Sequence, residues 1–263
     1  MSPGNAGGSF PCLATLVGSV YEMSRPPYRR RAESHPGHRS VAGGLARAAV
    51  FGVSDGLVSN VSLVIGFASA GVSPSVVRLA GLAGAIAGAT SMAAGEWVSI
   101  SAQNELVFRE LAVERRELEH NPASETAELA AMYEGHGMTR QIALDAAADV
   151  MRVPEAALTV HAREEFGVDP DELGSPWSAA GLSLVCFLVG ALLPVIPWFT
   201  GHGNGAKLAS ILIGVVAAAI VGLMIGKFAE RRKAWSSARQ VLILLIACGA
   251  TYLVGRALGV SVN

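Results

Sequence analysis

Residues 88–122 read GATSMAAGEWVSISAQNELVFRELAVERRELEHNP. The stretch opens as the tail of an apolar run and closes as a strongly acidic one. After Gly95 it holds neither Gly nor Pro until Pro122, so nothing in it breaks a helix. A single helix is therefore expected to leave a membrane and continue into water. That expectation sets the architecture on both sides of it.

An apolar run of about 20 residues is long enough to cross a bilayer. Five occur, at 46–70, 76–100, 178–199, 208–228 and 241–260, in a chain that is 51% hydrophobic and 16% charged. The fold class is an all-α membrane protein of five transmembrane helices, with a helical domain inserted between the second and third. The expected division is a disordered segment at 1–40, rich in Pro, Gly, Ser and Arg, then helices one and two at 41–102. The inserted domain follows at 103–176, and helices three to five at 177–263. Met23 offers an alternative start, and the apolar "FPCLATLVGSV" before it lacks the basic flank of a signal peptide. Three widely separated cysteines give no zinc, redox or disulfide spacing.

Charge is distributed unevenly. Net charge is −1, yet 16 of the 21 Asp and Glu lie between Glu105 and Glu172, against six Arg and no Lys. The insert is thus a partner for cations and not for nucleic acid. Basic residues gather before the first span (Arg29, Arg30, Arg31, Arg39, Arg47) and after the fourth ("KFAERRKAW"), whereas the other short loops carry one each. By the positive-inside rule the N-terminus and the insert face the cytoplasm and the C-terminus lies outside.

Within the insert the second helix runs on from span two. Asn121-Pro122 is an N-cap followed by Pro at the first helical position, and "EGHGM" ends the helix it starts. A third helix is expected from Thr139 to Val153, and a fourth from Pro154 to a Gly167 C-cap.

An ionisable side chain at membrane depth costs at least about 2.5 kcal/mol, so its default reading is functional. Asp55 lies roughly 13 Å into span one. Glu96 lies near the cytoplasmic end of span two, with Met92 one turn deeper on the same face. Two carboxylates and a thioether suit a divalent transition ion better than Mg²⁺ or Ca²⁺. A packing hydrogen bond for Asp55, snorkelling for Glu96 and plain core contact for Met92 are the structural alternatives. Gly81, Gly84 and Gly88 read as helix-packing residues. On the acidic extension Glu110, Glu114 and Glu117 form one stripe, and none has a Lys or Arg three or four residues downstream. A solvated face more often interleaves its signs. Glu125 and Glu128 stand across the turn, where helix N-terminus stabilisation is the plain alternative. His161 and Glu165 form an i,i+4 pair able to converge on one ion, and His161 alone reads as readily as a packed histidine. Glu117-x-x-His120 has di-iron spacing, but only one such motif is present.

"SDGLVSNVSLVIGFASAG", "GATSMAAGEWVSISAQNE", "ELAVERRELEHNPASETAELAAMYEGHGM", "HAREEFGVD" and "GALLPVIPWF" follow in that order. Together they resemble the vacuolar iron transporter family, including its bacterial members, over about residues 45–260. The resemblance implies a five-span homodimer in a bacterial plasma membrane that exports Fe²⁺, or Mn²⁺, from the cytoplasm in exchange for protons. It implies no enzyme and no resident cofactor. Asp55, Met92 and Glu96 match the family's translocation path. Glu114, Glu117, Glu125, Glu128 and Glu165 match the ligands of its cytoplasmic metal-binding domain, with Glu110 as a further candidate. Eukaryotic members carry two Met where this chain has His161 and Ala162. An imidazole there suits Mn²⁺, Fe²⁺ or a bound Zn²⁺. A membrane-anchored metal buffer or sensor without transport is the alternative function, and a ferroxidase the weakest one.

Overall fold

The structure is a computed structural model that describes residues 44–228 and 230–259. The segment expected to be disordered at 1–40, with Met23, lies outside them. The described residues are helical: α1 Gly44–Ser69, α2 Pro74–His120, α3 Pro122–Gly135, α4 Arg140–Val150, α5 Pro154–Glu165, α6 Pro176–Leu192, α7 Pro197–Thr200, α8 Gly203–Phe228 and α9 Lys233–Gly259. Five helical segments are long and apolar enough to span a membrane, those of α1, α2, α6–α7, α8 and α9.

Helix α2 has 47 residues and no break. At 1.5 Å per residue it is about 70 Å long, more than twice the roughly 30 Å of a hydrocarbon core. Its apolar first half is long enough to fill that thickness, and its acidic second half is length in excess of it. Trp97 and Trp177 mark the boundary, with ring centroids 5.7 Å apart and both rings exposed, as indoles at a membrane–water interface should be. Trp235, also exposed, begins α9 at the same end of the spans.

The spans pack by small residues, because lipid removes the hydrophobic drive between helices and close contact must replace it. A Cβ on Gly56 would fall 2.2 Å from the Phe187 carbonyl oxygen, and one on Gly190 2.3 Å from that of Val53. Helices α1 and α6 therefore touch backbone to backbone. Gly81, Gly84 and Gly88 do serve packing: their faces meet Val195, Leu63 and the Phe187 ring. The buried Asn60 amide donates to the Gly81 carbonyl (3.1 Å) and to that of Ala191, tying α1, α2 and α6 together.

Pro194 and Pro197 break the third span as their missing N–H groups require. Helix α6 ends at Leu192, a 3-10 turn covers Leu193–Val195, and α7 follows. The Pro194 carbonyl accepts from Ser210 Oγ (2.7 Å), and that hydroxyl accepts from Trp198 Nε1 (3.0 Å). Arg78 Nη1 donates to the Trp198 carbonyl (3.0 Å) while its guanidinium lies 5.9 Å from the Phe199 ring centroid. One charge of span two is thus a cap for the broken span.

Helices α3–α5 fold against the distal half of α2 around Leu129, Ala130, Ala143 and Ala147, with Tyr133, Val150 and Val160 at the margin. Gly167 follows α5 at φ +64°, a left-handed residue where Gly costs least. The expected Asn121 side-chain cap is absent. Its backbone does that work instead, donating to Glu117 O (2.8 Å) and accepting from Ser124 N (2.9 Å).

Candidate metal centre

The acidic stripe of α2 meets α3 and α5 at one point. Glu114, Glu125, His161 and Glu165 each place one ligand atom so that all four lie within 4.8 Å of one another. Three helices supply them. The hairpin at Asn121 folds Glu125 back over Glu114, and α5 lays the His161/Glu165 face against both.

His161 is fully buried, and Glu114 is 2% exposed. The imidazole Nδ1 stands 3.0 Å from Glu114 Oε1, 3.2 Å from Glu165 Oε1 and 3.9 Å from Glu125 Oε2. Nδ1 and Glu165 Oε1 share a hydrogen bond. Glu114 Oε1 lies outside hydrogen-bond geometry and has no other partner, and neither has His161 Nε2. Buried polar atoms normally find partners, so an orphaned Glu114 Oε1 at 3.0 Å from Nδ1 needs an explanation. A cation among three carboxylate oxygens and an imidazole nitrogen would complete it.

The electrostatics agree. Burial pushes the Glu114 carboxyl from an ordinary 4.5 up to about 7, helped by the negative charges of Glu165, Glu125, Glu117 and Glu128. Burial also raises Glu125, followed by Glu128, while His161 works in the opposite direction. Both groups lie on the water side of Trp97, Glu114 by about 25 Å of helix.

The remaining sequence candidates occupy different positions. Glu117 and Glu128 are exposed at the rim, outside the four-residue cluster yet near enough for their charges to act on Glu114. Glu110 is one turn away, pairs with Arg109 (3.4 Å) and is not in the cluster. His120 turns from Glu117 to the Arg116 carbonyl (2.7 Å), so the di-iron-like spacing yields no site.

A second polar locus lies within the spans. A cavity of about 360 Å³ between α1 and α2 is lined by Asp55, Ser59, Asn60, Ser91, Met92 and Phe187, with Leu63, Gly84 and Gly88. Asp55 and Met92 are thus brought together. Glu96 is not part of that lining; its carboxylate is held by Arg47 Nη2 at 3.2 Å. Sequence reading missed Ser59, Asn60 and Ser91, although Ser59 is one turn from Asp55 and Ser91 adjoins Met92. It counted Arg47 only as a topogenic charge.

Residues 46–256 match the profile of the VIT family. The chain belongs to that family. Among curated members of the VIT family, it is 28% identical to vacuolar iron transporter 1 of Oryza sativa subsp. japonica over 259 residues, 98% of each chain. It is 33% identical to the vacuolar iron transporter of Acanthamoeba castellanii over 204 residues, 73% of this chain and 74% of that one. Vacuolar iron transporter 1 of Arabidopsis thaliana is 26% identical over 88% of this chain and 93% of its own. In all three the match reaches well beyond any single motif.

Proposed function

We propose that this VIT-family protein is a secondary transporter that moves Fe²⁺, or Mn²⁺, out of the cytoplasm in exchange for protons. Its acidic domain, residues 103–176, captures the ion. The observation that carries the reading is the convergence of Glu114, Glu125, His161 and Glu165 within 4.8 Å, with Glu114 on the helix that runs unbroken into the span bearing Met92 and Glu96. Similarity to proteins named vacuolar iron transporter supports iron as cargo.

In this reading Glu114, Glu125, His161 and Glu165 bind the ion first, and Glu117 and Glu128 concentrate it at the rim. A divalent charge offsets the desolvation of Glu114 and the repulsion of its neighbouring carboxylates. Glu114, whose carboxyl burial raises to about 7, must lose its proton to coordinate, so capture releases protons. The ion then travels to Glu96, Met92 and Asp55. Asp55 is exposed on the α1–α2 face although it sits at membrane depth. A carboxylate does not face lipid, so a second copy of the chain is expected to cover that face, making a homodimer with the path between subunits. Return protons would use the same carboxylates. The N-terminus and acidic domain lie in the cytoplasm and the C-terminus outside, in the plasma membrane of a bacterial cell.

Uptake of ⁵⁴Mn²⁺ or Fe²⁺ into proteoliposomes with an imposed pH gradient tests the reading. Wild type should accumulate metal and Asp55→Ala should not. Binding without flux in wild type would leave a membrane-anchored metal buffer as the function.

A further inference from the structure

Arg47 lies in the first turn of α1, where no acidic residue accompanies it. That is an unfavourable place for a cation, because the helix dipole puts partial positive charge at the same end. A topogenic arginine there needs only to reach the headgroups. Instead its guanidinium crosses to α2 and meets Glu96 Oε1 at 3.2 Å. Among the described residues this is the only ion pair that joins two membrane-spanning helices. It is made through a single nitrogen, and the Arg47 side chain is 60% exposed while that of Glu96 is 17% exposed. Such a pair is weak and readily exchanged. Met92 lies one turn deeper, lining the cavity with Asp55. Glu96 therefore lies one turn beyond the cavity's Met92 toward the acidic end of α2, already holding a cation that belongs to the protein.

We propose that Arg47 is a tethered counter-cation on Glu96, displaced by the arriving divalent ion, so that it sets the metal concentration at which the path loads. Arg47 is a positioning residue that acts on cargo through Glu96. The exchange also discriminates by charge. A monovalent ion replacing the guanidinium gains nothing over it, whereas a compact doubly charged ion binds the carboxylate more strongly. The exposed side chain has water to swing into, and the dipole of α1 offers it no competing hold.

The inference rests on the transport reading above, and Mn²⁺ uptake into proteoliposomes separates the two. Arg47→Gln should lower KM for Mn²⁺ roughly two- to fivefold, the range for an exposed ion pair, with the change falling on KM and not on kcat. Arg47→Lys should return KM toward wild type. In the wild-type protein, modification of Arg47 by a dicarbonyl reagent, read by peptide mass spectrometry, should accelerate several-fold as Mn²⁺ is raised. This second readout holds even where Arg47→Gln does not fold. A KM that stays or rises in Arg47→Gln while kcat falls, or a modification rate indifferent to Mn²⁺, overturns the proposal and leaves Arg47 a structural tie. Absence of uptake by wild type overturns the transport reading, and this proposal with it.

Discussion

Replacing Glu114 by Gln isolates what the buried cluster costs the protein without metal. The carboxyl is 2% exposed and its pKa rises from 4.5 to about 7 in the folded protein. A group whose pKa is raised by folding favours the folded state fully below the unfolded value. That contribution is lost as pH climbs through the folded value. Across the interval between pH 4.5 and 7 the loss is on the order of 3 kcal/mol. In the presence of a chelator, Glu114→Gln should therefore stabilise the α3–α5 region at pH 8 by up to about 3 kcal/mol and have little effect near pH 4.5. Metal reverses the order. An ion at 100 times its Kd adds about 2.7 kcal/mol to the wild type, and the Gln variant, short of one carboxylate, gains far less. Hydrogen exchange at amides of α3–α5 in the detergent-solubilised full chain reads these differences locally, without requiring the whole protein to unfold in two states. Equal protection of wild type and variant at pH 8 without metal would refute the claim that burial and neighbouring charge strain this carboxylate. Equal gain on adding metal would remove Glu114 from the ligand set.

The same proton competes with metal, so the wild-type affinity for Mn²⁺ should fall up to about tenfold per pH unit below pH 7, as calorimetry would record. His161→Met should lower Mn²⁺ affinity about tenfold, and Fe²⁺ affinity less, because a thioether is a softer ligand than imidazole; competition binding measures the ratio. Gly190→Ala should prevent α1 and α6 from closing, since the new Cβ would lie 2.3 Å from the Val53 carbonyl oxygen. Loss of a monodisperse peak in size-exclusion chromatography checks it.

The elements themselves were legible in the sequence because they depend on short-range rules. The unbroken passage from Trp97 to His120 follows from the absence of Gly and Pro, and Pro122 and Pro154 start helices for a local reason. The broken third span has an equally local cause in Pro194 and Pro197. What satisfies the freed carbonyls is not local, since Ser210 and Arg78 approach from elsewhere in the chain. The acidic stripe could be read on α2, but periodicity treats Glu110, Glu114 and Glu117 alike.

Only tertiary contact separates those three. Glu114 points at His161 and is buried, Glu117 stays in water at the rim, and Glu110 pairs with its neighbour Arg109. Likewise the sequence placed Asp55 and Glu96 at similar depth, yet packing put Asp55 in a cavity with Met92 and gave Glu96 to Arg47. The amino-acid sequence by itself determined five spans, one helix leaving the bilayer and an acidic insert, through hydropathy, helix breakers and charge. Which carboxylates converge, and which are already neutralised, was decided by side chains meeting between different helices, as Glu114 meets His161 and Glu96 meets Arg47. Burial and Coulomb interaction depend on distance in space, which no residue spacing along one helix specifies.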